Sequence, residues 1–443
     1  MPPVDLSGNS KLPQIVELLD VMSRIRDPLE MQREYAARIR RIQTSAGYVS
    51  LSVRNLPPGF YRITRLTLDS AAPAVWQDNW KLGHTLPLYT GGFLGRVVAT
   101  PEPKLFHHLN EHTDPVLGDL LQDMGSAMAI PLYDQGQVLN WGVIFRHDPR
   151  GFSPEELEDQ LMRGNLIGGM VKNLVNARRI EELNTQLSEQ MQQVANIQRS
   201  LIPQMLPDVP GVSLAASYIT SNQAGGDYYD FFDMGHGQWG VVVADVSGHG
   251  AGAATIMAML QTILHEYQDR HKGPGAMLAH ANRQLLRKNL DSSFVTAFMG
   301  VLDADRRTLT FANAGHMNPA VRASGVSGGG TPRDSSPTEG AVREVPGHGD
   351  VPLGILSDAE YLDETAPLRP GETVVLYTDG ITEAFSPPPE REMFGTNRLL
   401  RSMSEAPPDP SGVIDAIHAR LHAHTQSFQR VDDQTIVAMK VTL

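Results

Sequence analysis

The stretch GVVVADVSGHGAG, residues 240–252, runs three valines into Asp245 and then opens onto glycines with a serine and a histidine among them. An apolar run of this kind reads as a buried strand. Ending it on a carboxylate, and following it with a turn that has no side-chain bulk, makes little sense for packing alone, because a buried charge is costly unless something compensates it. Asp245 therefore has something to hold.

Other acids repeat the arrangement. Asp227 and Asp230 lie in AGGDYYDFF, directly before the strand that ends in Asp245. Asp379 follows the apolar run VVLYT, and Asp432 and Asp433 precede QTIVAM. A single aspartate at a strand boundary is ordinarily a turn former, but turn chemistry does not explain four such clusters in one region. No lysine or arginine lies close in sequence to Asp227, Asp245 or Asp379. Converging carboxylates repel unless positive charge sits between them. The natural counter-charge is a hard divalent cation with oxygen ligands, Mg²⁺ or Mn²⁺ rather than Zn²⁺. Two such ions bridged by one carboxylate activate a water and polarise a phosphoryl oxygen.

Composition narrows the class. The 443 residues suffice for two or three domains, with 41% hydrophobic and 20% charged residues as in ordinary globular proteins. A net charge of −13 argues against nucleic acid or an anionic membrane surface as partner. With no cysteine, disulfides, thiolate zinc sites, a cysteine nucleophile and a covalently attached bilin are excluded. The N-terminus does not read as a signal peptide, and there is no run of roughly 18 apolar residues. A cytoplasmic protein is expected.

Three zones follow along the chain. Residues 12–165 open with two helical patterns, continue with strand-like YVSLSVR and FYRITRLTL, and reach a hairpin turning at Asp134-Gln135-Gly136. Ser153, Pro154 and Glu156 form a capping-box signature that starts a long helix. The second zone, a helical linker over 166–204, repeats Ile180, Leu187, Val194 and Leu201 every seven residues, with Leu183 and Ile197 between them. This is a coiled-coil seam, weakened by Gln190 and Gln204, and it implies a parallel homodimer; the alternative is an amphipathic helix packed on its own domain. The third zone, 205–443, holds strand signals and two adjacent helical patterns, GAATIMAMLQTILHEYQD and PGAMLAHANRQLLRKNL, which predicts an α+β sandwich. The segment from Ala323 to Glu339, rich in Gly, Ser and Pro, reads as a mobile loop between two strands.

With these segments in view, the third zone resembles the PPM (PP2C-type) metal-dependent serine/threonine phosphatases, and more closely their bacterial SpoIIE/RsbU branch. GGDYYDFF, ADVSGHGAGAA, NAGHMNP, PLGI, LYTDGITEA and DDQTIV carry the likeness, in order, across residues 200–443. IQRSLIPQMLP is similar to the segment that joins sensor domains to such phosphatases, and AMAIPLYDQGQVLNWGVIF resembles part of a GAF sensor domain. The resemblance implies a GAF-like domain, a helical linker and a PP2C-like α-β-β-α sandwich. It implies that Asp245 bridges two Mn²⁺ or Mg²⁺ ions, that Asp227 and the Val246 carbonyl complete one shell, and that Asp379 with Asp432 completes the other, the choice of Asp432 over Asp433 staying open.

Two histidines carry competing readings. His249 could protonate the leaving oxygen, although this branch spaces its histidine differently from the eukaryotic members. His316 could touch the phosphate, or be a buried histidine that shapes a turn. Rival phosphoryl-transfer readings fail on the residues: glycines 248, 250 and 252 lack the Lys-Ser/Thr of a P-loop, and Tyr377 stands where a haloacid-dehalogenase nucleophile would be.

The implied function is dephosphorylation of phosphoserine or phosphothreonine on a partner protein, in family terms a STAS-type anti-anti-sigma protein of a partner-switching pathway. An unidentified small-molecule or protein signal at the GAF-like domain would regulate it. The reading from a different class is a catalytically silent sensor or scaffold that binds a regulatory partner.

Overall fold

The computed structural model describes residues 12–42, 44–68, 85–288, 290, 292–324, 340–427 and 430–442. The loop expected from Ala323 falls, from 325 to 339, outside the described residues. Two compact units divide the chain, Met1–Asn184 and Thr185–Leu443.

In the first unit, helices α1 (Leu12–Arg24) and α2 (Pro28–Ile42) precede β1 (Gly47–Ser52), β2 (Phe60–Leu68), β3 (Tyr89–Thr90), α3 (Gly92–Val98), β4 (Lys104–Phe106), β5 (Ser126–Asp134) and β6 (Gln137–Arg146). The strands form one antiparallel sheet in the order β3-β2-β1-β6-β5-β4. Alternation places Val49 and Leu51 of β1 opposite Val143 and Trp141 of β6, and these side chains join Phe93, Leu94 and Val97 of α3 in one core. The β5–β6 hairpin turns as expected. Gln135 and Gly136 both take positive φ, the conformation that a two-residue type I′ turn requires.

Helix α4 (Pro154–Leu201) starts on the anticipated capping box: the Ser153 amide donates to Glu156 at 3.1 Å, and the Glu156 amide donates to Ser153 Oγ at 3.2 Å. Within the first unit, its Val171 packs with Leu18, Met22 and Met31, and Leu157 and Leu161 pack near Phe152. The heptad positions are another matter. Ile180, Leu183 and Leu187 are exposed, Leu187 by 58%.

The second unit contains β7 (Val212–Ile219), β8 (Tyr228–Gly235), β9 (Gln238–Val246), α5 (Ala251–Glu266), α6 (Pro274–Leu286), β10 (Val295–Asp303), β11 (Thr308–Ala314), β12 (Ala320–Arg322), β13 (Val342–Glu344), β14 (Glu364–Pro367), β15 (Thr373–Tyr377), α7 (Asp379–Thr382), α8 (Gly395–Glu405), α9 (Pro410–Thr425) and β16 (Gln434–Val441). Its two five-stranded antiparallel sheets run β14-β11-β10-β9-β8 and β13-β12-β15-β16-β7. Period-two alternation makes them a sandwich. Val374, Leu376, Val437 and Met439 enter the core shared with β8, β9, α5 and α6, whereas Val375, Tyr377, Ile436 and Ala438 enter the core beneath α8 and α9. The layers are therefore α-β-β-α.

Two elements differ from the sequence reading. YYDFF is itself a strand, β8, so Asp230 lies within it rather than before it. A second helix pair, α8 and α9, covers the second sheet. The N-cap Asp409, whose carboxylate accepts from the Gly412 amide at 2.8 Å, Pro410 in the first turn, and buried Val413, Ile414, Ile417 and Leu421 announce α9, but the interspersed His and Arg residues mask its apolar stripe.

Leu260 of α5 is wholly buried between helix and sheet. Leu260→Ala is expected to cost about 2–5 kcal/mol in urea unfolding, whereas Leu362→Ala at an exposed position stays within about 0.5 kcal/mol.

Candidate metal centre

Antiparallel pairing collects the acids. In an antiparallel pair the end of one strand faces the start of the next. The register Tyr228↔Ala244 brings Asp227, just before β8, beside Asp245 near the end of β9. In the facing sheet, Tyr377↔Ile436 brings Asp379, just after β15, beside Asp432 and Asp433, just before β16.

Asp227 is 1% exposed, and its Oδ2 accepts from Thr378 Oγ1 at 2.8 Å and Thr435 Oγ1 at 2.6 Å. The Thr435 amide donates to Thr378 Oγ1 at 3.0 Å, so Thr435 of β16 and Thr378, just after β15, together hold the acid before β8. Neither threonine was singled out by sequence reasoning. The available signal was a threonine next to each acidic motif, in YTDG and DDQT.

The structure separates the adjacent pair of acids. Asp433, 2% exposed, spends its carboxylate on the chain: Oδ1 accepts from the Ser221 amide at 2.7 Å, and Oδ2 accepts from the Gly226 amide at 2.6 Å. Asp432 is more exposed, and its carboxylate receives the Asp433 amide at 2.8 Å. Gly380 lies so close beneath this turn that a Cβ there would strike the Asp433 carbonyl.

Asp227, Asp245, Asp379 and Asp432 are each pushed above the usual carboxylate range. Burial raises Asp245 most, followed by the charges of Asp227, Asp379, Asp432 and Asp433. Burial likewise leads for Asp227, opposed by the Thr435 hydroxyl and reinforced by Asp433. Asp379 is raised by burial, Glu383 and Asp432. Asp432 is raised by burial, then held down by the Asp433 amide, with His249 a weaker influence in the same direction. No lysine or arginine is among the leading influences on these four. The donor set is all oxygen and lacks counter-charge, which fits hard divalent cations. Among the described residues, no three acidic or histidine side chains are grouped closely enough to hold a metal ion as they stand.

Residues 235–442 match the family described as Stage II sporulation protein E (SpoIIE), and residues 33–162 match the GAF domain. The chain carries a SpoIIE-type (PP2C-like) phosphatase domain and a GAF domain. Metal dependence is general among PP2C phosphatases. Asp245, Asp379, Asp432 and Asp433 lie inside the matched SpoIIE segment, and Asp227 lies just upstream of it.

Protein IcfG of Synechocystis is 24% identical over 389 residues, which cover 81% of this chain and 55% of IcfG. The phosphoserine phosphatase RsbU of Bacillus subtilis is 25% identical over 264 residues, covering 58% of this chain and 72% of RsbU. The phosphoserine phosphatase RsbP of the same organism is 22% identical, covering 52% of each chain. The chain thus spans about half the length of IcfG and of RsbP. Among solved structures, the SiaA-PP2C domain of Pseudomonas aeruginosa aligns at TM-score 0.48 with 22% identity, covering 58% of this chain and 98% of that one. The RsbU and RsbW domains of a Mycobacterium tuberculosis protein align at 0.42 with 26% identity, over 53% and 61%.

The histidines of the SpoIIE-type domain part company. His249 is exposed, between Gly248 and Gly250, and close enough to act on Asp432. His316 is buried, its Nδ1 paired with Thr296 Oγ1 at 2.9 Å, and burial pushes it down to about 4. Its backbone amide donates to Asn313 Oδ1 at 2.7 Å, and Asn313 Nδ2 donates back to the His316 carbonyl at 2.9 Å. That geometry fits a neutral, turn-shaping histidine. Because Thr296 is registered opposite Asp245, the turn also backs the strand that carries Asp245. Asp230 stands apart from the acidic group, held by Tyr228 Oη and His265 Nε2, each at 2.7 Å.

Carboxyls raised by folding hold protons that the unfolded chain has already released. The metal-free protein is therefore expected to lose stability as pH rises above the ordinary carboxylate range, from about 4 upward. Mn²⁺ at about 100 times its Kd adds about 2.7 kcal/mol and opposes that loss. Asp245→Asn flattens the pH slope, gains on the order of 1 kcal/mol without metal at pH 8, and abolishes most of the Mn²⁺ effect; thermal melts across pH, with and without Mn²⁺, check all three.

Proposed function

We propose that the chain is a metal-dependent protein serine/threonine phosphatase regulated through its GAF domain. The observation that carries this reading is the group of buried Asp227, partly buried Asp245 and Asp379 and exposed Asp432, raised together and lacking counter-charge. Asp245, on which the charges of Asp227, Asp379 and Asp432 all act, would be shared between two Mn²⁺ or Mg²⁺ ions. Asp227 and the Val246 carbonyl would help to hold one ion, and Asp379 with Asp432 the other. Asp432 is preferred to Asp433 because Asp433 already accepts from the amides of Ser221 and Gly226.

When bound, the two ions supply the positive charge that activates water and stabilises the phosphoryl oxygens. The chain's own part is placement. Thr378 and Thr435 fix the Asp227 carboxylate, Asp433 fixes the loop before it, and exposed His249 is available to the leaving serine or threonine oxygen. His316 works behind the site rather than on the phosphate.

For the substrate, the RsbU and RsbP relatives are described as phosphoserine phosphatases. This supports a phosphoserine or phosphothreonine protein, assigned here to the STAS-type anti-anti-sigma class. Among the described residues no helix is long and apolar enough to cross a membrane; cytoplasmic residence belongs to the proposal. So does homodimerisation through α4, supported by the exposed line of Ile180, Leu183 and Leu187 at heptad spacing.

Purified full-length chain is expected to hydrolyse a phosphoserine protein with Mn²⁺ and to stop with EDTA, and Asp245→Asn is expected to lower kcat at least about 100-fold. Absence of both turnover and Mn²⁺ binding would instead favour the silent scaffold. Replacing Leu183 and Leu187 together by Glu is expected to convert a dimer into a monomer by light scattering; a monomeric parent chain would end the coiled-coil assignment.

A further inference from the structure

Gln198 lies one turn before the end of α4 and is only 4% exposed, an unusual place for a polar side chain with so many exposed polar neighbours on the same helix. Its carboxamide is used at both ends. Nε2 donates to the Gly225 carbonyl at 2.6 Å, and Oε1 accepts from the Gly225 amide at 3.0 Å. A side-chain amide thus pairs with the backbone of one residue, as a neighbouring strand would.

That residue is two positions before Asp227. On its far side, a Cβ at position 225 would strike the Asp433 carboxylate, so Gly225 lies between Gln198 and Asp433 with no room for a side chain. The next residue, Gly226, donates to Asp433 at 2.6 Å and accepts from the Val246 amide at 3.4 Å. The backbone from 225 to 227 is therefore held by α4 on one side and by the acid before β16 on the other. Small residues let the helix come this close: Ala195, Ala224 and Ala254 form one buried cluster beside the pair. A second bond, from Gln223 Nε2 to Ser188 Oγ at 2.9 Å, ties the same loop to the helix about three turns before Gln198.

We propose that Gln198 is a positioning residue for the metal centre: the end of the helix, through one carboxamide, sets where Asp227 presents its carboxylate. Leaving the Gly225 amide and carbonyl buried without partners would be costly, so the loop must shift whenever this carboxamide withdraws. The proposal rests on the metal-centre reading above.

The test uses full-length chain stripped with EDTA, the probe being Mn²⁺ alone. Gln198→Met, similar in size and in helix propensity but without either hydrogen bond, is expected to raise the Mn²⁺ Kd in calorimetry about tenfold. It should also speed amide exchange across residues 221–229 in the metal-free state. The Mn²⁺ concentration for half-maximal hydrolysis rises to match, while KM for a phosphoserine protein and kcat at saturating Mn²⁺ stay near the parent values. Gln198→Glu keeps the acceptor for the Gly225 amide and loses the donor, so it should fall between the two; it is also the second variant if the first folds poorly. Gln192→Ala on the same helix, whose amide bonds exposed Asn196, should change nothing.

Unchanged exchange and unchanged Mn²⁺ affinity in both Gln198 variants would overturn the proposal. So would a loss of activity at every Mn²⁺ concentration that merely tracks the folded fraction. If the parent chain binds no Mn²⁺, the metal-centre reading falls and the positioning role falls with it, while the exchange measurement separately reports whether the contact orders the loop.

Discussion

Mutual repulsion among converging carboxylates is the constraint around which the second unit is organised. Asp227, Asp245, Asp379 and Asp432 come from two sheets, and the charges of Asp227, Asp379 and Asp432 all raise the proton affinity of Asp245. A fold built only for stability would not gather them. Their cost has to be met by packing elsewhere, and the two cores on either face of the second sheet are where that packing lies.

The same acids are also held with unusual thoroughness. Threonine hydroxyls from the second sheet reach across to Asp227, and Asp433 reaches in the opposite direction to the amides of Ser221 and Gly226. The sandwich is thus bonded across its two sheets at the point where charge tends to force it apart. Acids with similar sequence surroundings have divided the labour. Asp433 is occupied by the chain, Asp230 by a tyrosine and a histidine, and the remaining four are left facing one another.

Much of this was legible in the chain. The apolar runs gave β9, β10, β15 and β16, helical spacing gave α5 and α6, and Ser153 with Glu156 marked the start of α4. Other parts were hidden for identifiable reasons. β8 carries an aspartate in its middle, tolerable because Tyr228 two residues earlier and His265 satisfy it, and His265 is 35 residues away, too far in sequence to suggest the pairing. The stripe of α9 is diluted by histidine and arginine, so its burial shows only once the second sheet exists to cover.

What the sequence determined by itself was chemical type: oxygen donors rather than sulfur, acids placed at strand boundaries, and glycines where a turn has to be tight. These are local properties, carried by residue identity and spacing. Tertiary structure alone decided which acids face each other, which one of an adjacent pair is already spent on backbone amides, and that Gln198, among many glutamines on a polar helix, is buried against Gly225. Those outcomes depend on groups separated by up to 212 residues meeting within hydrogen-bond reach, and only the closing of two sheets and the docking of a helix end bring them there.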